Sequence, residues 1–198
     1  IIVKQEGKTG DLHEWTEDGT YTFEMPEGNV TITVESSNST CVSSDTLITL
    51  ADGSQVRVDS LTGAEELLVW NLYTGALDVA PILCIDSDPE AEYEIIHLYF
   101  SDGTDVKVIS EHGFWDYDLN KYVYLDANAA DYIGHSFAKQ NGDELEKVVL
   151  TDVVIETEVT TAWSPVTAGH LVYFVNGMLS LPGGVDGLFN IFEVDPET

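Results

Sequence analysis

Short runs of alternating apolar and polar residues, separated by Asp-Gly and Asn-Gly pairs, recur along this sequence. The pairs are Asp52-Gly53, Asp102-Gly103 and Asn176-Gly177. Between alternating runs, such pairs are the strongest short-range signal for a β-hairpin, because these residues tolerate positive φ. Helical periodicity is weak, and only residues 126–137 (DANAADYIGHSF) favour a helical turn or two. The sequence therefore predicts an all-β fold.

Two of these hairpin segments are similar in sequence. Residues 47–58 (LITLADGSQVRV) and residues 97–108 (HLYFSDGTDVKV) superpose without gaps. They share the Asp-Gly pair and two valines, and Arg57 stands where the second segment has Lys107. A repeat of this kind predicts two related halves stacked about a pseudo-twofold axis. The alternative is that any two Asp-Gly hairpins look alike.

The charge of the chain restricts its partners. Seven Lys and Arg residues against 36 Asp and Glu residues give a formal net charge of −29. A field of this sign repels phosphate backbones and anionic lipid surfaces, so we expect no nucleic-acid partner. No apolar stretch reaches the ~20 residues of a membrane span, so we expect no membrane insertion. Apolar residues make up 43% of the chain, which favours a folded protein over a disordered acidic one.

A change in composition near residue 40 predicts a domain boundary. Residues 20–35 (TYTFEMPEGNVTITVE) have the pattern of a strand, a turn and a second strand. The polar linker SSNST follows at residues 36–40, and Cys41 comes directly after it. We therefore expect residues 1–40 to be the end of an upstream β-rich segment, and residues 41–198 to form a second domain.

Cys41 stands at the first residue of that second domain, a position that a buried structural thiol does not need. A thiol there can attack the carbonyl of Thr40 and shift the acyl group from nitrogen to sulfur. Because an amide is more stable than a thioester, the step needs an acid for the leaving backbone nitrogen and donors for the oxyanion. The chemistry therefore predicts a histidine beside the Thr40–Cys41 bond.

Five histidines are candidates for this acid. His13 lies outside the second domain, and His135 follows a glycine in a segment expected to be exposed. His97 sits in an apolar strand, where a satisfied core histidine is expected. His112 follows directly after a predicted hairpin strand, and His170 precedes the final strand. The order of preference is His112, then His170.

Three blocks of the chain resemble the Hint superfamily, the self-processing domains shared by inteins, hedgehog C-terminal domains and bacterial intein-like proteins. Residues 41–63 (CVSSDTLITLADGSQVRVDSLTG) resemble the opening block. Residues 105–116 (DVKVISEHGFWD) are similar to the second block, which carries the histidine, and residues 170–181 (HLVYFVNGMLSL) are similar to the terminal block. The resemblance covers residues 41–195 and implies an internally duplicated, all-β, intein-like horseshoe.

The resemblance also implies roles for individual residues. Cys41 would be the nucleophile, His112 would protonate the nitrogen of the Thr40–Cys41 bond, and His170 would assist near the thioester. The substrate would be the chain's own N-terminal segment, and the acceptor would be water or an unknown nucleophile. This is single-turnover, cysteine-dependent autoproteolysis or acyl transfer, and it requires no cofactor.

Some positions depart from the family pattern. The second block usually has Thr three residues before its His, where this chain has Ile109, so Ser110 would have to substitute as the donor. Gly113 stands where Pro is common. Protein splicing needs a terminal Asn, and the chain has Leu181 followed by Pro at that point. We therefore expect cleavage without full splicing. The alternative is a degenerate Hint fold that serves as a non-catalytic binding or structural module of a cell-surface protein.

Residues 22–35 (TFEMPEGNVTITVE) are similar to the closing strands of bacterial surface repeats of the internalin B-repeat kind. This similarity implies a secreted or cell-surface bacterial protein, in which residues 1–40 are the partner that the domain releases.

Two further features have simpler interpretations. Cys84 is expected to be a small apolar core residue, and the alternatives are a bridge to Cys41 or a second role at the site. The acidic run at residues 86–94 (DSDPEAEYE) lacks the ligand spacing of a calcium loop, so a solvated loop is expected. No Cys and His spacing predicts zinc, and no glycine-rich loop predicts a bound phosphate. We therefore expect no metal and no cofactor.

Overall fold

The computed structural model describes residues 41–109, 112–170 and 172–181 together with Pro196, and four short strands ahead of them. Contacts between residues divide the chain into two units, Ile1–Ser37 and Asn38–Thr198. In the part of the chain that is described, no helix has the length and apolar character needed to cross a membrane.

Four strands are described in the first unit. They are β1 (Ile2–Gln5), β2 (Glu14–Trp15), β3 (Tyr21–Thr22) and β4 (Val30–Thr33). The predicted strand–turn–strand of residues 20–35 contains β3 and β4, but β3 pairs with β2 and β4 pairs with β1. The pairing with β1 gives β4 a ladder from Ile2↔Thr33 to Gln5↔Val30, which the shorter β3 could not supply.

The described residues of the second unit form twelve strands. They are β5 (Cys41–Ser43), β6 (Leu47–Thr49), β7 (Gln55–Arg57), β8 (Glu66–Asn71), β9 (Ala76–Phe100), β10 (Asp105–Ile109), β11 (His112–Asp116), β12 (Lys121–Leu125), β13 (Ser136–Asn141), β14 (Glu144–Thr167), β15 (Tyr173–Val175) and β16 (Met178–Leu181). Two short 3-10 helices, Val58–Ser60 and Ala129–Tyr132, follow β7 and β12. The all-β prediction is confirmed, and the second of these helices lies in the segment predicted to hold a helical turn.

The order of the strands in the sheet reveals an internal duplication. It runs β12-β11-β16-β13-β14-β5-β10-β9-β8-β15-β6-β7. Reversing this order gives the same order again if each of β5 to β9 is exchanged with the corresponding strand of β10 to β14, and β15 is exchanged with β16. Three pairings join equivalent strands, namely β5–β10, β9–β14 and β15–β16. The predicted pseudo-twofold arrangement is therefore present, and these three pairings lie at its centre.

The pseudo-twofold symmetry does not relate the two hairpin segments that are similar in sequence. Both Asp-Gly turns do share a geometry, since Gly53 and Gly103 have φ of 82° and 89° and the residue after each glycine donates its amide to the preceding aspartate. The sheet order, however, matches the hairpin β6–β7 with β11–β12, whereas residues 97–108 span β9–β10. The similarity in sequence therefore reflects the chemistry of the two Asp-Gly turns. The duplication is seen in the order of the strands.

The strands β9 and β14 form a long antiparallel ribbon, with a register from Leu150↔Phe100 to Thr167↔Ile82. The acidic run at residues 86–94, predicted to be a loop, lies inside β9. That prediction was wrong because β14 completes the backbone hydrogen bonds of the run while its polar side chains stay largely exposed. Cys84, predicted to be a core residue, is exposed on the same ribbon.

Alternate side chains of the central strands fill two apolar clusters. Phe114, Tyr173 and Val175 belong to the larger cluster, whereas Trp115 and Phe174 belong to the smaller one. Full burial of each large apolar side chain contributes about 1.5–3 kcal/mol to stability. The alternation fixes which side chains of β11, β15 and β16 share a face, and this places the polar groups described below.

Asn176 joins the two halves of the fold at the turn between β15 and β16. Its φ of 48° is left-handed, a conformation that asparagine tolerates. Its Oδ1 accepts a hydrogen bond from Leu47 N at 2.7 Å, and its Nδ2 donates to Asp105 O at 2.6 Å. One side chain therefore links β6 of the first half to β10 of the second.

Candidate active site

Cys41 is the first residue of β5, the first strand of the second unit. In the sheet, β5 lies between β10 and β14, and Cys41 is directly opposite Ile109. Its side chain is 2% exposed and packs in a small cluster with Ile95, Ile109 and Ala162. The predicted nucleophile therefore sits at the start of the fold, with its thiol in an apolar environment.

The pKa of the Cys41 thiol is raised to about 12, mainly by burial and, in smaller part, by the nearby carboxylates of Asp88 and Asp86. The thiol is therefore protonated at neutral pH. These two aspartates were not expected at the site, because sequence reasoning assigned them to a solvated loop. Asp45, which is closer in sequence, instead lies 3.7 Å from Lys107 Nζ.

His112 is the first residue of β11, three positions after Ile109. Three residues span at most about 11 Å, so its backbone lies within that distance of the residue that faces Cys41. The side chain is fully buried, and within the described residues neither ring nitrogen has a hydrogen-bond partner. Burial lowers the pKa of His112 to about 4, so the imidazole is neutral at physiological pH. A neutral imidazole can accept a proton and later return it.

His170, the second predicted histidine, has a different described partner. Its Nε2 lies 3.4 Å from Asp78 Oδ2 on β9, and its backbone oxygen accepts a hydrogen bond from the Thr167 hydroxyl. Within the described residues no hydrogen bond or ion pair links His170 to Cys41, and its assisting role stays a prediction. His97 lies 2.7 Å from Asp105 and 2.8 Å from the Tyr99 hydroxyl, as expected of a satisfied core histidine.

Two predicted site residues, Thr40 and Ser110, lie outside the described residues. The cleavage bond itself and the donor role of Ser110 therefore stay predictions. Gly113, which departs from the family pattern, has a structural reason. A Cβ at this position would lie 2.9 Å from the Cβ and 3.0 Å from the backbone oxygen of Leu181, so only glycine lets β11 and β16 approach this closely.

A strip of buried polar side chains runs across β11, β16 and β15. Ser180 is opposite Phe114 in one ladder and opposite Tyr173 in the next, so the three side chains share a face of the sheet. His112 is two residues before Phe114 and lies on that face as well. Ser180 and Tyr173 are fully buried, and neither hydroxyl has a hydrogen-bond partner among the described residues. Nothing in the local sequence separates these two residues from ordinary core positions.

Asp116, Asp118 and His135 form the one group of described residues that could hold a metal ion, with ligand atoms within 4.8 Å of one another. Each carboxylate is already engaged. Asp116 Oδ2 lies 2.7 Å from His135 Nδ1, and its Oδ1 accepts hydrogen bonds from the backbone amides of Asp118 and Leu119. Asp118 accepts one from Ser136 N. The group therefore fastens the β11–β12 turn to β13.

A scan against protein-family models finds no match to the sequence, and a search of curated proteins finds none either. Solved structures do match. A DnaB intein from Synechocystis sp. PCC 6803 superposes with a TM-score of 0.63 at 18% identity, over 73% of this chain and 99% of that one. A bacterial intein-like domain from Clostridium thermocellum superposes with a TM-score of 0.59 at 17% identity, over 74% of this chain and 100% of that domain. A DnaX mini-intein from Spirulina platensis superposes with a TM-score of 0.57 at 15% identity, over 70% of this chain and 97% of the mini-intein. Similarity at these identities concerns the fold.

Proposed function

We propose that this chain, which has the Hint or intein-like fold, cleaves itself at the Thr40–Cys41 bond by an N-to-S acyl shift. The observation that carries the proposal is the placement of Cys41. It opens the first strand of the domain, opposite Ile109, and His112 follows three residues after Ile109 with a buried imidazole that has no hydrogen-bond partner in the part of the chain that is described.

The atoms balance with these two side chains alone. Cys41 Sγ bonds to the carbonyl carbon of Thr40 while the thiol proton passes to the neutral imidazole of His112. The bond between that carbon and the Cys41 nitrogen then breaks, and His112 returns the proton to the nitrogen. The amide becomes a thioester and a free amine, with no net gain or loss of protons. Because the thiol is so weakly acidic, proton transfer to His112 belongs to the attack step.

Resolution of the thioester completes the reaction. Water attacks the thioester carbonyl, releases residues 1–40 with a carboxylate at Thr40 and restores the Cys41 thiol. An external thiol or amine would take the upstream segment in the same way. Full splicing is not proposed, because Leu181 and the following proline occupy the end of the terminal block.

Intact mass spectrometry of the purified chain with dithiothreitol or hydroxylamine tests the proposal. We expect gradual release of a fragment of residues 1–40 and no release from Cys41→Ala. Cys84→Ala is the matched control, because it removes an exposed thiol on the ribbon and should release the fragment at the wild-type rate. An intact wild-type mass after days of incubation would contradict the proposal.

A second candidate function is a non-catalytic binding or structural module. Ile109 favours it, because this side chain places an apolar group opposite Cys41 where a hydrogen-bond donor would assist the acyl shift. An unchanged mass in both wild type and Cys41→Ala would support this second function.

The setting of the reaction is also a proposal. The similarity of residues 22–35 to bacterial surface repeats supports a secreted or cell-surface protein whose upstream segment is the cleaved partner. Fractionation of a producing bacterium, with an antibody against each segment, would test it. Recovery of both segments from the cytoplasm alone would contradict it.

A further inference from the structure

We infer that Tyr99 is a nucleophile in a second reactive site, with His97 as its base and Asp105 behind the histidine. This site would accept acyl groups from uncharged esters and thioesters. It does not depend on the proposed acyl shift, which uses Cys41 and His112.

The register of two neighbouring strands brings the three side chains together. Tyr99 and His97 are two positions apart on β9, so they lie on one face of the sheet, and their ring centroids are 4.1 Å apart. Asp105 on β10 is directly opposite Tyr99, which places its carboxylate on the same face and diagonal to His97. An antiparallel ladder that continues to Ile109↔Ile95 holds these backbones in place.

The hydrogen bonds of His97 run in one direction, from hydroxyl to imidazole to carboxylate. His97 Nε2 lies 2.7 Å from Asp105 Oδ2, and His97 Nδ1 lies 2.8 Å from the Tyr99 hydroxyl. An ionised carboxylate only accepts, so Nε2 carries the hydrogen, and Nδ1 of the neutral imidazole accepts the phenolic hydrogen. This is the arrangement in which a histidine, oriented by a carboxylate, activates a hydroxyl as a nucleophile.

The exposure of the three side chains fits the roles proposed for them. His97 is 8% exposed, so its ring is held in place and largely shielded from water. Tyr99 is only half-buried, and the side chain of Asp105 is 50% exposed. An acyl donor can therefore approach the phenol from solvent, while the base stays fixed beneath the surface.

The charges around the site select the class of donor. Glu156 Oε1 lies 3.6 Å from the imidazole Nδ1, and Asp152 pairs with the tyrosine in the β14 ladder, so these two carboxylates add to that of Asp105. Lys107, opposite the histidine, is neutralised by Glu158 at 2.8 Å. Negative charge of this kind repels phosphoryl donors and other anions, but it does not repel an uncharged ester or thioester.

The atoms of the transfer balance. Tyr99 Oη bonds to the acyl carbon while its hydrogen passes to His97 Nδ1. The bond between that carbon and the leaving oxygen or sulfur then breaks, and His97 gives the proton to the leaving group. The products are a tyrosyl ester and a free alcohol or thiol. Asp105 stabilises the imidazolium between the two proton transfers.

The test uses p-nitrophenyl acetate as the acyl donor and the full chain carrying Cys41→Ala, so that the acyl shift cannot contribute. Tyr93 is the matched control within the same molecule. It is also half-buried on β9, but its hydroxyl donates to the backbone oxygen of Pro89 at 2.8 Å and has no base. Peptide mapping over time should find acetyl groups on Tyr99 about 100-fold sooner than on Tyr93, a typical gain from a general base.

Two variants in that background separate activation from simple exposure. His97→Gln removes the base and should lower acetylation of Tyr99 to the rate of Tyr93. Asp105→Asn should slow it by about tenfold, because an amide no longer fixes the tautomer of the imidazole. The side chain of Asp105 is half exposed, so this second variant should unfold at the same temperature as its parent even if His97→Gln is less stable.

Equal acetylation of Tyr99 and Tyr93 would overturn the inference, and so would an unchanged rate at Tyr99 in either variant. Release of residues 1–40 from the wild-type chain decides the acyl shift separately.

Discussion

Ile109 and Cys41 are cross-strand partners in the β10–β5 ladder, and their side chains are 4% and 2% exposed. This pairing puts a bulky apolar group next to the predicted nucleophile. It excludes water from the thiol, and it occupies the place from which a polar side chain could assist the reaction.

Replacing Ile109 with threonine should therefore raise the rate of cleavage and lower the stability of the fold. The Ile109→Thr variant gains a hydroxyl that can donate to the developing oxyanion, and we expect fragment release to accelerate about tenfold. Loss of buried apolar surface and burial of the hydroxyl should lower the free energy of unfolding by about 2 kcal/mol. Mass spectrometry and urea unfolding measure the two effects.

Ile109→Val is the control for that experiment. It should lower stability by about 1 kcal/mol and leave the cleavage rate unchanged, because valine adds no donor. Equal acceleration in both variants would show that looser packing, and not the hydroxyl, controls the rate.

The buried imidazole of His112 should make the domain sensitive to acid. The pKa of His112 is lowered to about 4 in the folded chain, against an ordinary value of 6.5. Between these values the unfolded chain binds a proton that the folded chain does not, so stability falls as pH decreases. The loss should reach about 3 kcal/mol at pH 4.

Urea unfolding of wild type and His112→Phe across this pH range measures the effect. The variant has no imidazole to protonate, so its stability should be nearly constant where that of wild type declines. Parallel curves would mean that another group accounts for the acid sensitivity.

The two cysteines should differ sharply towards iodoacetamide. Cys84 is exposed and should be alkylated readily, whereas Cys41 is buried and its pKa of about 12 leaves about 0.01% thiolate at pH 8. Peptide mapping after labelling of the native chain should find carboxamidomethyl groups on Cys84 alone. Neutralising the nearby carboxylates with Asp86→Asn and Asp88→Asn should lower the pKa of Cys41 and speed its labelling severalfold. Rapid labelling of Cys41 in wild type would contradict this.

Asn176 should matter more for stability than its place in a turn suggests. Asn176→Ala removes two hydrogen bonds to backbone atoms and puts alanine in a left-handed conformation. We expect a loss of about 3 kcal/mol in the free energy of unfolding. Asn141→Ala is the comparison, because Asn141 also precedes a glycine, and its one described side-chain hydrogen bond goes to the half-buried Glu146. It should cost well under half as much, and equal losses would argue against the linking role.

Local signals in the sequence were sufficient for the turns. The hairpins at Asp52-Gly53 and Asp102-Gly103 form where predicted, because the left-handed φ of their glycines is a property of a few adjacent residues. Residues 86–94 show the limit of local reasoning. Their polarity is typical of a loop, and only the pairing with β14, whose residues come more than sixty positions later, makes them a strand.

The residues of the candidate site also fall into two groups, those that local sequence signals reveal and those that they do not. Cys41 and His112 could be proposed from their positions relative to predicted strands and from the chemistry of the acyl shift. Asp88 could not, because its proximity to Cys41 arises when segments far apart in sequence become neighbours in the sheet. The buried polar side chains of Ser180 and Tyr173 could not either, because cross-strand register, which turn chemistry and composition do not encode, decides which side chains share a face.

The carboxylates of Asp86 and Asp88 affect the cleaved product as well as the attacking thiol. Together with burial, which is the larger cause, they keep the sulfur in its protonated form and so slow the attack. Cleavage would leave Cys41 as a new N-terminus bearing an ammonium group. Negative charge beside that ammonium favours it, so the same pair would oppose religation. A mature domain of this kind would carry an amine and a thiol on adjacent atoms of one residue, the arrangement that condenses with aldehydes into thiazolidines.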